Sequence, residues 1–352
     1  MVPLHQRPQT IGVSPSKVGL SRKQQFFAII ATVLVLSSAL SHLGVRVLKI
    51  RTDGIDRGNI PAGSGAPVLV MGSSLTFFGV SFRQIAKAMQ RPLVTRGVGG
   101  CSPCELETLA REVPEATRLI IGVSIFDLNE NNLGDSRPIL VPFGQTLSDL
   151  RASHTDWTAA KRVLWSYPLP WIQRAFPLAG RSGTVLVNLR DQARSLLKRP
   201  AAVQPEAKLS FKTDEDSGHP EKLSEWDGGR VGRNLSQLAA SGLAHGRFAG
   251  PKSLALARIL KNAAGREPTV VLVFPVSPPY RKTFGDEAVA EAFERAIERM
   301  GAADPHLQIV RLDREPALQP AEVFWDLVHL NDDGRRIATR RLIEQLSSVS
   351  PR

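Results

Sequence analysis

Cysteine is nearly absent from this sequence, which has only Cys101 and Cys104 among its 352 residues. The two form a C-x-x-C pair, and a metal site built on them would need two further ligands, which the sequence does not offer. A thioredoxin-like redox function would need that fold around the pair, and the flanking residues do not predict it. The sequence therefore predicts neither a metal nor a cofactor.

No run of basic residues alternates with aromatics, although the formal net charge is +12. The arginines and lysines are scattered along the chain, so we expect no nucleic-acid partner. An anionic lipid surface or an anionic glycan suits this charge better. The composition, 42% apolar and 22% charged, is that of a globular protein. The length allows one large core or two ordinary ones.

Long apolar runs are also scarce, and the longest covers residues 26–45. About twenty helical residues span a bilayer core, and basic residues flank both ends of this run. We therefore predict a transmembrane helix at 26–45, a cytoplasmic tail at 1–25 and a linker at 46–66. The alternative is a signal peptide cleaved near residues 37–39. Either interpretation places the globular part outside the cytoplasm.

Export bears on the two cysteines, because disulfides form and persist in oxidising compartments. We predict a local disulfide between Cys101 and Cys104, with two unreactive thiols as the alternative. Neither sulfur is predicted to be a nucleophile.

A buried strand is predicted at Val68–Met71, where four apolar residues run into a Gly-Ser-Ser turn that holds Ser74. Helical patterns alternate with four further apolar runs, at residues 91–98, 117–125, 269–276 and 307–312. This alternation predicts an α/β fold with a doubly wound, mainly parallel five-stranded sheet. Ligands bind at the carboxyl ends of such strands, so we expect Ser74 to face a substrate.

A hydroxyl is a poor nucleophile without a base, and the candidate base lies near the other end of the chain. Asp326 and His329 are three residues apart, so the carboxylate can hold one imidazole nitrogen while the other nitrogen faces Ser74. These are the roles of a Ser-His-Asp triad, which is recognised by geometry and not by chain order. The alternative is a Rossmann-like domain in which Ser74 only caps a helix and His329 packs in the core.

The segment Gly72–Leu75 (Gly-Ser-Ser-Leu) resembles the first block, Gly-Asp-Ser-Leu, of the SGNH or GDSL hydrolase superfamily. The segment Asp326–His329 (Asp-Leu-Val-His) resembles its last block, Asp-x-x-His. The resemblance implies a flavodoxin-like order of the strands and a catalytic triad of Ser74, His329 and Asp326.

The two middle blocks of the superfamily complete the oxyanion hole, and this sequence departs from both. Residues 95–100 resemble the block Asn-x-Gly-x-x-Gly, with Thr at the Asn position, and Gly100 matches the glycine whose backbone N–H joins the hole. The third block, Gly-x-Asn-Asp, is replaced by Gly-Val-Ser-Ile, with Ser124 at the position of the Asn donor. The resemblance thus implies an oxyanion hole of Ser74, Gly100 and Ser124.

Roughly 135 residues separate the third predicted strand from the fourth, far more than a crossover needs. We predict that residues 130–266 form an insertion, a helical cap with a mobile loop at 198–234. The insertion would divide the α/β domain into two parts, 67–129 and 267–348. Three candidates for substrate contacts lie in loops after the predicted strands: Asn129, Tyr280 and Arg281.

Many members of the superfamily carry Asp at the position of Ser73. Membrane-bound and polysaccharide-modifying relatives often carry Ser there, as this sequence does. The resemblance therefore implies a membrane-anchored serine esterase or O-acyltransferase for acylated glycans of the cell envelope or exopolysaccharide, with O-acetyl groups the first candidates. It implies a single-pass protein of the cell inner membrane, with the catalytic domain outside the cytoplasm. Acyl transfer would also need a membrane partner that supplies acyl groups. The alternative, favoured by the divergent third block, is a catalytically degenerate scaffold or glycan-binding component of an envelope assembly.

Overall fold

The protein is represented by a computed structural model that describes residues 22–47, 58–63, 65–97, 99–113, 116, 118–132, 140–165, 219–240, 246–263, 267–304 and 306–348. The predicted tail up to residue 21, residues 48–57 of the predicted linker and residues 166–218 of the predicted insertion lie outside the described residues. The described part is a mixed α/β structure built on a six-stranded sheet.

The strands of the sheet are β1 Asn59–Ile60, β2 Val68–Gly72, β3 Leu93–Gly97, β4 Arg118–Ser124, β5 Val270–Phe274 and β6 Gln308–Arg311. Their spatial order is β1-β3-β2-β4-β5-β6. β1 is antiparallel to β3, and the remaining neighbours pair in parallel. The five parallel strands follow one of the two common orders of doubly wound sheets, in which the first of them, β2, lies second from their edge.

The sheet has one strand more than the sequence predicts, because β1 lies in the segment predicted as a linker. Asn59 and Ile60 pair with Val94 and Leu93 at the edge of the sheet. Two residues carry no periodicity, so this strand has no local signal and forms only because β3 presents an unpaired edge.

Helices pack on both faces of the sheet, and α1 is not among the helices whose residues enter the two core clusters. The helices of the described residues are α1 Arg22–Val47, α2 Ser74–Gly79, α3 Phe82–Met89, α4 Pro103–Ala110, α5 Ile125–Leu128, α6 Phe143–Ala152, α7 Trp157–Trp165, α8 Gly228–Leu238, α9 Pro251–Ala263, α10 Pro278–Phe284, α11 Glu287–Ala303 and α12 Asp332–Ser348.

Alternate residues of β2 enter two different cores, as the period of a strand buried on both faces requires. Val68 and Val70 pack with residues of α3 and α12 on one face. Leu69 and Met71 pack with residues of α4, α9 and α11 on the other face. All five residues of β2 are buried, so this strand forms the centre of the fold.

Helix α2 approaches the ends of β2 and β4 closely, because two strand residues have no side chain. A Cβ on either Gly72 or Gly122 would overlap with the hydroxyl oxygen of Thr76, which is buried in α2. A larger residue at either position would push α2 away from the sheet. These glycines therefore set the position of Ser74, the first residue of α2.

Helix α9 belongs with the α/β layers and not with the predicted insertion. Its residues Leu256, Ile259 and Leu260 are buried in the same core cluster as residues of β2, β4 and β5. α9 thus covers the sheet in the crossover from β4 to β5. The predicted insertion, 130–266, therefore includes a helix of the α/β layers, because apolar helical spacing alone does not show which core a helix enters.

The predicted loop at 198–234 is helical in the part that the structure describes. Residues 219–234 contain a 3-10 turn, Leu223–Glu225, and most of α8. The Asp227 side chain caps α8 by accepting a hydrogen bond from the Arg230 N–H at 2.7 Å, and the Arg230 guanidinium lies 3.7 Å from the centre of the Trp226 ring. The polar composition concealed this local cap.

Helix α1 is long and apolar enough to cross a membrane, with a mean hydropathy of 2.1 over Lys23–Leu43. Its large apolar side chains are exposed, as for Phe27 and Val35. A signal sequence passes the same test of length and composition, so the helix is compatible with either interpretation.

Candidate active site

Ser74 lies where β2 turns into α2, at the carboxyl edge of the sheet. Ser73 is the N-cap of α2, and its side-chain oxygen accepts a hydrogen bond from the Leu75 N–H at 3.2 Å. Ser74 is thus the first helical residue, where backbone N–H groups have no acceptor within the helix. Its side chain is half-buried, so the hydroxyl is reachable from outside.

The hydroxyl of Ser74 is joined to His329 and Asp326 by two short hydrogen bonds. Ser74 Oγ lies 2.8 Å from His329 Nε2, and His329 Nδ1 lies 2.7 Å from Asp326 Oδ2. A carboxylate can only accept, so Nδ1 carries the proton and Nε2 accepts the Ser74 hydroxyl proton. This is the arrangement that lets a serine lose its proton to an imidazole.

The loop before α12 holds the carboxylate in place through its own backbone. Asp326 Oδ1 accepts hydrogen bonds from the N–H groups of Val328 and His329, at 2.8 and 2.7 Å. A bridge between Phe324 and Leu330 closes the loop. Asp326 and His329 therefore meet in one turn, because a spacing of three residues brings the carboxylate next to the imidazole.

The pKa of Asp326 is lowered, although two effects oppose each other there. Burial disfavours the charge and acts to raise the pKa, while the hydrogen bond and charge of His329 and the two backbone N–H groups act to lower it. The donors outweigh burial. The carboxylate thus stays ionised and able to orient the imidazole at neutral pH.

Gly100 lies in the turn after β3, beside the end of β2. Its φ of +72° is the left-handed conformation that glycine adopts without strain. No described atom lies within 4 Å of the place where its Cβ would be, so the space above it is open. The Cys101 thiol donates to the Gly72 carbonyl at 3.1 Å, which ties this turn to the strand that leads into Ser74. The role of the Gly100 N–H as a donor in the oxyanion hole stays a prediction.

Ser124 does not point toward a substrate, contrary to its predicted role in the oxyanion hole. Its hydroxyl donates to Asp127 Oδ2 at 2.9 Å and accepts from the N–H groups of Phe126 and Asp127, both at 3.1 Å. The side chain is fully buried. Its single hydroxyl proton is donated to Asp127, and its oxygen caps the short helix α5.

Asp127 is a buried carboxylate that the sequence analysis did not single out. Burial raises its pKa to about 6, against hydrogen bonds from the Ser73 and Ser124 hydroxyls and the charges of Lys252 and His329. The fully buried Lys252 ammonium also donates to the carbonyl oxygens of Asp127, at 2.9 Å, and Asn129, at 2.6 Å. The recognisable signal was a cap pattern, Ser-x-x-Asp, directly after a strand.

The predicted substrate-binding residues are used inside the protein. Asn129 is buried, and its side-chain oxygen accepts from the N–H groups of Asn131 and Arg247. Tyr280 is only 2% exposed, packs against Phe284, and has its pKa raised by burial. Both follow strand ends, as predicted, but their side chains turn inward to satisfy the core.

Arg281 is held away from the triad by the loop that follows β6. Its guanidinium donates to the side-chain and backbone oxygens of Gln319. Burial lowers its pKa, and Asp313 partly offsets that effect. Arg281 therefore joins α10 to the segment after β6.

The predicted disulfide is not formed, and the structure holds Cys101 and Cys104 as two buried thiols. The two side chains point into different clusters. Cys101 packs among residues of β2 and α4, whereas Cys104 packs against Val141 and Ala255. A C-x-x-C spacing brings two cysteines near each other only when both side chains leave the backbone on one side.

Aromatic rings surround His329, and the sequence analysis identified none of them. Trp325 and Phe78 lie 5.2 and 5.5 Å from the imidazole centre, and His219 stacks on Trp325. Phe78 is four residues after Ser74 and Trp325 directly precedes Asp326, so helical and loop spacing could have identified both. His219 comes from a distant polar segment and had no such signal.

Among the described residues, no group of three or more His, Cys, Asp or Glu side chains is arranged to hold a metal ion. The absence of a metal or cofactor stays a prediction. The described arrangement brings together a serine hydroxyl, an imidazole that a carboxylate orients, and the free backbone N–H groups at the start of α2.

Comparisons with known proteins assign the chain to no family. No protein-family model and no curated protein matches it. A solved structure of a mutant acetyl-xylooligosaccharide esterase from Geobacillus is similar with a TM-score of 0.36 and 12% sequence identity, over 82% of this chain and 99% of that chain. A TM-score this low supports no conclusion about fold or function.

Proposed function

We propose that this protein is an SGNH-type serine esterase or O-acyltransferase that works through an acyl-Ser74 intermediate. The observation that carries the proposal is the continuous hydrogen-bonded chain from the Ser74 hydroxyl through His329 to Asp326. A helix cap alone would not require an imidazole at 2.8 Å from the next hydroxyl. Nor would a packed histidine require a carboxylate on its other nitrogen.

In the proposed reaction the Ser74 oxygen attacks the carbonyl carbon of an ester while its proton passes to His329 Nε2. The carbonyl electrons move onto oxygen, next to the N–H groups of Ser74 and Gly100. The tetrahedral intermediate then collapses, and the imidazolium gives its proton to the departing alcohol. Water completes hydrolysis of the acyl-serine, whereas a sugar hydroxyl would complete acyl transfer.

The proposed substrate is an acylated glycan of the cell envelope or exopolysaccharide, with an O-acetyl group as the first candidate. The proposed location is the cell inner membrane, with α1 as the anchor and Ser74 outside the cytoplasm. α1 supports this location by its length and hydropathy. In the case of transfer, a membrane partner would supply acyl groups. Alkaline phosphatase fused after residue 60 should be active in a bacterial host, and an inactive fusion would rule out this topology.

The test is covalent labelling of the full chain with a serine-reactive fluorophosphonate, together with turnover of acetylated sugars. We expect labelling and turnover in wild type and neither in Ser74→Ala. Ser73→Ala is the matched control, because it removes the neighbouring hydroxyl and leaves the relay in place, so it should still be labelled. Labelling of a folded Ser74→Ala variant would refute the proposal.

Hydrolysis and transfer differ only in the acceptor, so one pair of assays separates them. Release of acetate from an acetylated sugar is measured with and without a polysaccharide acceptor. An esterase releases acetate in both cases. A transferase moves the acetyl group to the acceptor, and acetate release falls as acceptor is added.

The second candidate function is a catalytically degenerate scaffold or glycan-binding component. The position of Ser124 favours it, because its hydroxyl is turned to Asp127 and leaves the hole without the side-chain donor of the third block. Loss of one such donor typically costs roughly 10²–10³ in rate. A wild-type protein that binds glycan but neither labels nor turns over ester would support this candidate.

A further inference from the structure

Four rings form one aromatic cluster at the base of the relay: Phe78, His219, Trp325 and His329. His219 and Trp325 stack with centroids 4.0 Å apart and planes 7° apart. Trp325 in turn stacks on His329, at 5.2 Å and 26°. Phe78 meets His219 and His329 edge to face, at 5.1 and 5.5 Å. The catalytic imidazole is thus the last ring of a stack.

The segment that carries His219 is hydrogen-bonded to the catalytic loop. The His219 N–H donates to Asp332 Oδ1 at 3.2 Å, and the Asp332 N–H donates to the His219 carbonyl at 3.3 Å. The Leu223 N–H donates to the Phe324 carbonyl at 2.7 Å. Residues 219–223 therefore lie against both ends of the loop that holds Asp326 and His329.

Ring contacts and not a side-chain hydrogen bond hold the indole of Trp325. Its N–H is buried and has no hydrogen-bond partner among the described residues. The backbone N–H of Trp325 does form a hydrogen bond, which it donates to the His329 carbonyl at 3.1 Å. The orientation of the indole toward His329 thus depends on His219 and Phe78.

An indole face attracts a cation within about 6 Å of its centre, and tryptophan does so most strongly. His329 becomes a cation when its Nε2 gains the Ser74 proton, as the Ser74 O–H bond breaks and the bond to the acyl carbon forms. The side chain of His329 is only 16% exposed, so water screens this attraction weakly. The cluster therefore favours the protonated form of His329 at the moment when catalysis creates it.

We propose that Trp325 and Phe78 stabilise the imidazolium form of His329, and that His219 is a positioning residue that holds the indole against it. A benefit to catalysis rests on the proposed function. The effect of the rings on the protonation of His329 does not. Two carboxylates also interact with His329, Asp326 in its own loop and Asp127 from α5, and the titratable ring of His219 stacks on Trp325.

The test follows the protonation of His329 directly, by NMR of the full chain in detergent with ¹³C-labelled histidine. The His329 signal is the one missing in His329→Gln. In Trp325→Leu its titration midpoint should move to lower pH by about half a unit to one unit, an about three- to tenfold change in the protonation equilibrium. Trp325→Phe keeps an aromatic face and should show a smaller shift, and His219→Gln should shift the midpoint in the same direction.

The matched control is Trp157→Leu, which removes an indole that is 72% exposed on α7 and should leave the His329 midpoint unchanged. An unmoved midpoint in a folded Trp325→Leu variant would overturn the proposal. If Trp325→Leu does not fold, Phe78→Leu carries the test with the same expected direction. Where wild type turns over esters, the acid limb of its pH–rate profile should shift by the same amount. Absence of turnover by wild type would count against the proposed function and not against the shift in protonation.

Discussion

Two aspartates lie beside the carboxyl edge of the sheet, and their surroundings act on the negative charge in opposite directions. At Asp326 burial opposes the charge, but His329 and the backbone N–H groups of Val328 and His329 outweigh it, and the pKa falls. At Asp127 burial prevails over the hydroxyls of Ser73 and Ser124 and the nearby charges, and the pKa rises to about 6. Asp326 lies in the loop before α12, and Asp127 lies in α5 directly after β4.

The difference shows which donors keep a buried carboxylate charged. Asp326 accepts hydrogen bonds from two N–H groups of its own loop, which are held in place by the backbone without cost in side-chain entropy. Asp127 has two neutral hydroxyls as donors and is 4% exposed. Asp326, which holds His329, therefore stays negatively charged at neutral pH. The charge of Asp127, in the turn after β4, changes with pH near its pKa of about 6.

The largest effect should come from breaking the relay itself. Ser74→Ala and His329→Gln should each lower kcat by roughly 10⁴–10⁶, and the double variant should lose little more than either one. The reason is that the two side chains act as one unit, so the second loss removes nothing further. Ester hydrolysis by the three variants, with folding checked by circular dichroism, tests this. Additive losses would show that the two residues act independently.

Asp326→Asn should have the next largest effect, a fall in kcat of roughly 10³–10⁴. The amide keeps the volume of the carboxylate but can donate to Nδ1, which favours the tautomer with the proton on Nε2. Nε2 then cannot accept the Ser74 proton. Kinetics of this variant beside Ser74→Ala give the comparison, and equal activity of Asp326→Asn and wild type would remove Asp326 from the relay.

Asp127→Asn should affect stability more than chemistry. Burial raises the pKa of Asp127 from an ordinary 3.8 to about 6 in the folded chain, so the folded chain binds this proton more tightly between those values. The free energy of unfolding should therefore fall as pH rises from about 4 to 6, by on the order of 1 kcal/mol, and Asp127→Asn should remove that part of the fall. Urea unfolding of both proteins from pH 4 to 8 measures it.

Two further results sharpen the prediction for Asp127. Its side chain is hydrogen-bonded to Ser73 and Ser124, so kcat of Asp127→Asn at pH 8 should stay within about tenfold of wild type. A loss as large as that of Asp326→Asn would place Asp127 in the reaction. An unchanged pH dependence of unfolding would show that the carboxylate is not the buried group responsible.

Tyr280→Phe should have the smallest effect, a change in kcat/KM of less than about twofold. The ring packs in the core beside Phe126 and Phe284, and the variant keeps the ring. Kinetics with an acetylated sugar test this expectation, with Ser74→Ala as the inactive reference. A tenfold rise in KM would return Tyr280 to the substrate-binding residues that the sequence suggested.

Local patterns in the sequence determined the parts of this protein that depend on nearby residues. The apolar run of β2 and the turn after it place Ser74 at the carboxyl edge of the sheet, and the spacing of Asp326 and His329 lets one loop hold both. Gly100 has the left-handed backbone that glycine adopts without strain, and its role as a donor, which the resemblance implies, stays a prediction. The alternation of apolar runs with helical patterns along the sequence likewise predicts an α/β fold.

Only the tertiary structure decided what those residues meet. Whether the Ser124 hydroxyl faces a substrate or Asp127, and whether Tyr280 lines a cleft or fills the core, depends on how the loops pack on the strand ends. His219 is 110 residues before His329, and its ring joins the catalytic stack only because residues 219–223 hydrogen-bond to the catalytic loop. Sequence patterns record local periods and spacings. The partners of a side chain are set by contacts between segments that are distant in the chain, and those contacts leave no periodic signal.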